Sequence, residues 1–205
     1  ARASEVAATR LSQESVALLA STYAELVEGQ TRELQLEGDL THTIEEYEQV
    51  IGGKTASLIR TSARLGAMAA DAEPQVVGAL STWACEVGMV FQIADDALDL
   101  VADEATIGKP AGSDIREGTF TAPVLMAAQG PNGERIHEIV GRDGSPSNAE
   151  VEEVISLVRD GGYIDLTLTG ATERLAVAEA ALASLPDLEA RRILEKLGTY
   201  LVDQV

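Results

Sequence analysis

From about Gln75 to Val101 the chain reads as one long helix of small and apolar residues, and near its end that helix carries three carboxylates, Asp95, Asp96 and Asp99. At 3.6 residues per turn Asp95 and Asp99 stand one above the other, Asp96 and Asp99 are i,i+3 neighbours, and Gln92 sits a turn earlier on the same flank. Like charges at this spacing cost roughly a few tenths of a kcal/mol per pair in an isolated helix. Phe91, Ile93, Ala94, Ala97, Leu98 and Leu100 leave little of the helix for water, so the acids are expected to line a cleft. Hard divalent cations such as Mg²⁺, which take oxygen ligands and bridge to phosphate oxygens, would turn the repulsion into attraction.

The rest of the chain supports helices rather than a sheet. Only 3% of the 205 residues are aromatic while 45% are hydrophobic, and Ala and Leu dominate, a composition for close-packed helices and an all-α fold. Apolar positions recur at helical spacing from about residue 3 to 36, interrupted near Gly29, which makes one long helix or two. Thr43 caps a helix opened by Glu45-Glu46 and carrying Tyr47, Ile51, Leu58, Ile59, Leu65 and Met68 inward, with a break expected at Gly52-Gly53. Asp71 to Pro74 forms a turn before the long helix. Residues 103–122 carry three glycines and Pro110, a loop whose length points to function. Pro123 opens a helix through Gln129, a turn follows around residues 130–133, and a polar linker spans 141–148. Ser147 or Asn148 caps a helix over Val151 to Val158 that Gly161-Gly162 ends, and two further helices are separated at Pro186. One helical domain over 1–205 is the expectation.

The formal charge of −19 excludes non-specific nucleic-acid binding, which needs a Lys/Arg surface. An anionic ligand must then be held by metal or by a few chosen cations. Only Lys54, Lys109 and Lys196 are lysines, and the first two lie in glycine-containing segments. The single cysteine, Cys85, allows no internal disulfide and is expected as a buried, inert thiol. His42 and His137 are expected at the surface. No window of about 18 or more apolar residues and no signal peptide are visible, so no transmembrane helix is expected, and a soluble cytoplasmic protein without stable membrane insertion is the expectation.

Gly52-Gly53-Lys54-Thr55 is not a phosphate-binding loop of the G-x-x-x-x-G-K-[ST] kind, because Glu48 stands where that pattern needs glycine and no strand precedes it. Lys54 is left as a point charge for an oxyanion. Lys109, in Gly108-Lys109-Pro110-x-Gly112, lies one loop beyond the acidic helix, within reach of the same ligand. Each feature alone describes an ordinary surface turn.

Taken together, Lys54-Thr55, Phe91-Gln92-x-x-Asp95-Asp96-x-x-Asp99, Gly108-Lys109-Pro110-x-Gly112-x-Asp114 and Glu117-Gly118-x-x-Thr121-x-Pro123-Val124-Leu125 resemble the trans-isoprenyl (polyprenyl) diphosphate synthases over at least residues 1–125. The resemblance implies an isoprenoid synthase-type helical bundle, with 103–122 as an active-site loop and Mg²⁺ holding the diphosphate of an allylic substrate. That diphosphate leaves, and isopentenyl diphosphate attacks the allylic cation to give a longer trans-prenyl diphosphate, geranylgeranyl or longer. Asp95, Asp96 and Asp99 match the second aspartate-rich motif, with Asp95 as direct metal ligand and Asp99 acting through metal-bound water. Lys54 and Lys109 match lysines that contact the allylic diphosphate, Thr55 and Gln92 match oxygens facing the cation, and Phe91 matches a wall of the isopentenyl diphosphate pocket. A homodimer is implied as well.

Three departures from the family pattern bear on function. No Asp-Asp pair precedes Asp95, whereas the family carries a first aspartate-rich motif upstream, with most of the basic residues that hold isopentenyl diphosphate. Thr119 stands where many members have Lys after Glu-Gly. The expectation is therefore the C-terminal part of a synthase, inactive by itself, since Ala1-Arg2-Ala3-Ser4 reads as the inside of a helix. The alternative is a non-catalytic subunit that modulates or stabilises a full-length partner. A terpene cyclase fits less well, because the Lys-Thr pair and the Gly-Lys-Pro loop resemble the chain-elongating group.

Overall fold

The computed structural model describes residues 2–101, 110–142, 144–203 and 205. Every element among the described residues is helical: α1 Arg2–Arg10, α2 Gln13–Leu36, α3 Ile44–Ile51, a π-helical turn Gly52–Ala56, α4 Ser57–Ala69, α5 Pro74–Val101, α6 Ser113–Glu117, α7 Ala122–Ala128, α8 Gly133–Val140, α9 Asn148–Asp160, α10 Tyr163–Ala183 and α11 Glu189–Val202. Helix α5 is the axis of the bundle. It packs most extensively on α10 and α4 and also touches the π turn, α3, α6, α7 and α11. Its buried set, from Trp83 and Val87 through Val90, Ile93 and Ala97 to Leu100, continues into Ile115, Leu125, Ile136, Val154, Val158 and Leu182.

The caps follow the sequence. Thr43 forms a capping box with Glu46, its Oγ1 accepting from the Glu46 N–H at 3.2 Å while its own N–H donates to Glu46 Oε2 at 2.9 Å. Ser147 does the same with Glu150 at the start of α9. Helix α8 adds an element beyond those expected, burying Ile136, Ile139 and Val140. Within 103–122, residues 113–117 form α6 and residues 102–109 lie outside the described residues.

Two expected breaks are corrected. Helix α2 runs unbroken through Gly29, and the interruption falls instead at Leu11–Ser12, where Ser12 accepts from the Ser15 N–H at 3.1 Å. Gly52-Gly53 does not end its helix but widens it into the π turn between α3 and α4, a feature common at functional sites. One contact explains both glycines. A Cβ on Gly29 would lie 2.8 Å from the Lys54 backbone nitrogen, and one on Gly53 would lie 3.0 Å from the Glu25 carbonyl oxygen. The glycines let two backbones meet.

The hydropathy expectation is also corrected. An 18-residue window of α5 averages 1.4, and by length and composition alone α5 could cross a membrane. Its central position in the bundle accounts for that composition. His42 is buried rather than at the surface, with Nδ1 2.6 Å from the Asp39 carbonyl oxygen, whereas His137 is exposed. Cys85 is half-buried, and that burial raises its thiol pKa.

Candidate active site

A cleft of about 240 Å³ opens where α2, α3, the π turn, α5 and the α6–α7 segment converge. Its apolar wall is Leu36, Val50, Ile51 and Phe120. The lining also carries Glu33, Glu37, Asp95, Asp96, Asp114 and Glu117, and Lys54 is the lysine among these lining residues. Such an excess of carboxylates makes the cleft a place for cations.

The structure brings together Lys54, Thr55, Gln92, Asp95 and Asp96. Tyr47, Ile51 and Thr55 follow at i, i+4 and i+8 along α3 and the π turn and present one face to the cleft. Across from them, Thr55 Oγ1 donates to Gln92 Oε1 at 2.9 Å, Gln92 Nε2 donates to Asp96 Oδ1 at 2.8 Å, and Tyr47 Oη donates to Asp96 Oδ2 at 2.5 Å. Lys54 Nζ reaches Glu33 Oε2 at 2.7 Å and Oε1 at 2.9 Å, and Gln30 Nε2 donates to the same carboxylate at 2.6 Å. In this state the ammonium is held by α2.

The three acids expected to hold metal separate into different roles. Asp95 is exposed and opens into the cleft. Asp96 is only 5% exposed and both of its oxygens receive donors from Tyr47 and Gln92. Asp99 lies outside the cleft lining. It is 3% exposed and accepts the backbone N–H groups of Ser113 at 3.3 Å and Asp114 at 3.2 Å, pinning the start of α6. Among the described residues no group of three or more His, Cys, Asp or Glu side chains is arranged to hold a metal. The donor set fits a hard cation that takes one or two carboxylates and completes its shell with water and phosphate oxygens, and of the three aspartates Asp95 is the exposed one and lies in the lining.

Phe91 is 44% exposed and is not among the residues lining this cleft, whose apolar wall is Leu36, Val50, Ile51 and Phe120. Lys109 lies outside the described residues. Thr119 lines the cleft. Participants not anticipated from sequence include Tyr47, Glu33 and His42. Tyr47 was legible only as an inward residue of α3, and the i+8 spacing to Thr55 was its signal.

Electrostatics separates the acids further. Burial pushes the Asp96 pKa up from 3.8 to about 7, opposed by the hydrogen bonds from Tyr47 and Gln92 and assisted by the charges of Asp114 and Asp95. Burial, followed by the charge of Asp96, holds the Tyr47 phenol well above its ordinary value. Tyr47 therefore stays protonated as a donor.

Known proteins place this architecture. A family model described as polyprenyl synthetase matches residues 1–158. The chain is 37% identical over 197 residues to the nonaprenyl diphosphate synthase of Mycobacterium tuberculosis, covering 95% of this chain and 58% of that protein. It is 35% identical over 185 residues to heptaprenyl diphosphate synthase component 2 of Geobacillus stearothermophilus, covering 90% and 57%. Among solved structures, the geranylgeranyl pyrophosphate synthase of Corynebacterium glutamicum complexed with calcium and isoprenyl diphosphate superposes with a TM-score of 0.86 at 36% identity, covering 96% of this chain and 62% of that one. The chain thus spans about three-fifths of the length of these relatives. Its helical fold and the match over most of its length make this chain a member of the polyprenyl synthetase family.

Proposed function

We propose that the protein carrying this chain condenses an allylic prenyl diphosphate with isopentenyl diphosphate, aided by Mg²⁺, to make a longer trans-prenyl diphosphate of geranylgeranyl length or more. The observation that carries this reading is the open carboxylate of Asp95 in the same cleft as the Thr55–Gln92 oxygens and the Lys54 ammonium. The named activities of the relatives support it, and the calcium in the Corynebacterium complex supports divalent-metal use.

Magnesium, when bound, supplies Lewis-acid neutralisation of the charge that grows on the departing diphosphate. Asp95 would hold it. Lys54, released from Glu33, adds a charge that binds the leaving group more tightly in the transition state than in the ground state. Thr55 and Gln92 present oxygens to the allylic cation. Val50, Ile51 and Phe120 keep water from the side of the cleft where the cation forms. Asp99 anchors the start of α6 through the Ser113 and Asp114 N–H groups, and Lys109, outside the described residues, is a second ammonium proposed for the diphosphate. A homodimer is part of the same reading, supported by Tyr23, Val27 and Leu34, which leave an exposed apolar face on α2.

The test is to supply the intact protein with Mg²⁺, labelled isopentenyl diphosphate and an allylic diphosphate, and to measure product length. Absence of any longer product would falsify the reading. Asp95→Ala is expected to cut turnover by at least about 100-fold with an unchanged melting profile, and full activity in that variant would remove Asp95 from the site. A second reading, a subunit acting through a partner, is favoured by the similarity to a protein named component 2. It predicts product only when a companion subunit is added.

A further inference from the structure

The hydrogen bonds behind the cleft run in one direction. Both neighbours of Asp96 donate to its carboxyl oxygens. Tyr47 Oη–H does so at 2.5 Å on Oδ2, and Gln92 turns its NH₂ rather than its carbonyl toward Oδ1 at 2.8 Å. The opposite amide orientation would set Gln92 Oε1 against a carboxylate oxygen. With its amide fixed, Gln92 directs Oε1 to Thr55, and the Thr55 hydroxyl proton is committed to it at 2.9 Å. Thr55 Oγ1 then has only lone pairs left for the cleft that it lines.

We propose that Tyr47 and Asp96 are positioning residues that set the polarity of the Gln92–Thr55 pair, so that Thr55 offers the cleft an acceptor and never a donor. Its chemical meaning rests on the function proposed above. An allylic cation is stabilised by lone pairs and opposed by an O–H aimed at it. The placement of Tyr47 fits the role. It is buried, stands two turns before Thr55 on the same face and spans from α3 to α5. Asp96 thereby acts through Gln92 and Thr55 rather than as a metal ligand.

Two conservative variants test this at pH 8. Tyr47→Phe keeps the ring and removes one donor from Asp96, leaving the carboxylate free to rotate. Asp96→Asn is isosteric and can present either an acceptor or a donor to Gln92, permitting the reversed chain. Displacements of about 1 Å near reacting groups cost about 100-fold. The expected losses in kcat are about tenfold for Tyr47→Phe and about 100-fold for Asp96→Asn, with unchanged KM for both diphosphates and an unchanged half-saturating Mg²⁺ concentration. In a Thr55→Val background, Tyr47→Phe should cost less than about twofold more, since its effect passes through the missing oxygen. Additive losses, or a raised Mg²⁺ requirement in Asp96→Asn, would overturn the proposal and return Asp96 to the metal.

A readout without turnover separates this inference from the function beneath it. The side-chain amide resonances of Gln92, identified by their loss in Gln92→Glu, should shift in both Tyr47→Phe and Asp96→Asn. If the unsubstituted protein makes no product yet the amide shifts, the proposed function fails and the positioning role stands. An amide unmoved by either variant sinks the positioning role whatever the activity.

Discussion

Replacing Gly29 with alanine probes how the cleft is held open. The added Cβ would lie 2.8 Å from the Lys54 backbone nitrogen and 3.0 Å from the Gly53 carbonyl carbon. Non-bonded heavy atoms rest at about 3.5–4.0 Å, so the π turn would have to retreat by roughly 0.7 Å. Both obstructing atoms belong to the backbone, and no side-chain rotation relieves them. The turn cannot slide along α2 either, since Gly53 is itself held tight against the Glu25 carbonyl. Alanine gains about 1 kcal/mol over glycine in a helix interior, while overpacking costs about 1–3 kcal/mol. With rigid atoms on both sides the upper part of that range applies, leaving a net loss of roughly 1–2 kcal/mol. The displaced turn carries Lys54 and Thr55, so turnover should fall by about 10–100-fold. Urea unfolding followed by circular dichroism gives the first number and the product assay the second. Gly66→Ala is the control, because that exposed helical glycine has nothing within 4 Å of its would-be Cβ. It should gain about 0.5–1 kcal/mol. If Gly29→Ala stabilises the protein as much as Gly66→Ala and leaves turnover intact, the close-approach argument is wrong.

Three other outcomes follow from the same geometry. Asp96 has a folded-state pKa raised from 3.8 to about 7, so the folded state binds its proton more tightly than the unfolded state. Its stabilising contribution is complete below pH 3.8 and is lost as pH rises through about 7. That loss is on the order of 4 kcal/mol over the window. Unfolding free energies measured from pH 4 to 8 should flatten in Asp96→Asn, and an unchanged slope would refute the assignment. Asp99→Ala strips the acceptors from the Ser113 and Asp114 N–H groups, and should cost about 1–3 kcal/mol and speed proteolytic cleavage between residues 110 and 117; wild-type cleavage rates would contradict the anchoring role. Thr43→Ala breaks the capping box at the head of α3 and should lower stability by about 1 kcal/mol, a loss that Thr43→Ser should not show in thermal melts.

Much of the helical framework was legible because its signals are local. Thr43 and Ser147 cap through bonds three residues away, Pro74 and Pro123 stand in first turns, and the apolar spacing of α5 marks it as the central helix. Glycine misled the reading where its role was not local. Gly29 and Gly53 read as breaks, yet each is a point where one backbone lies against another far along the chain. The acids behaved similarly. Asp95, Asp96 and Asp99 are equivalent by spacing, and only their surroundings divide them into an open carboxylate, a buried acceptor and a helix anchor.

What the sequence determined by itself was an all-helical chain, a repelling acidic turn on its most apolar helix and the family motifs that belong together. Those properties are written in periodicity, charge and short-range hydrogen bonding, and they need no partner to be read. Tertiary structure alone decided which motif residues share the cleft, that Phe91 stays outside it, and that Tyr47, 49 positions before Asp96, closes the hydrogen-bond chain behind Thr55. The reason is physical. A hydroxyl or a carboxylate acquires its role from the donor or acceptor opposite it, and the packing of α3 against α5 chooses that partner.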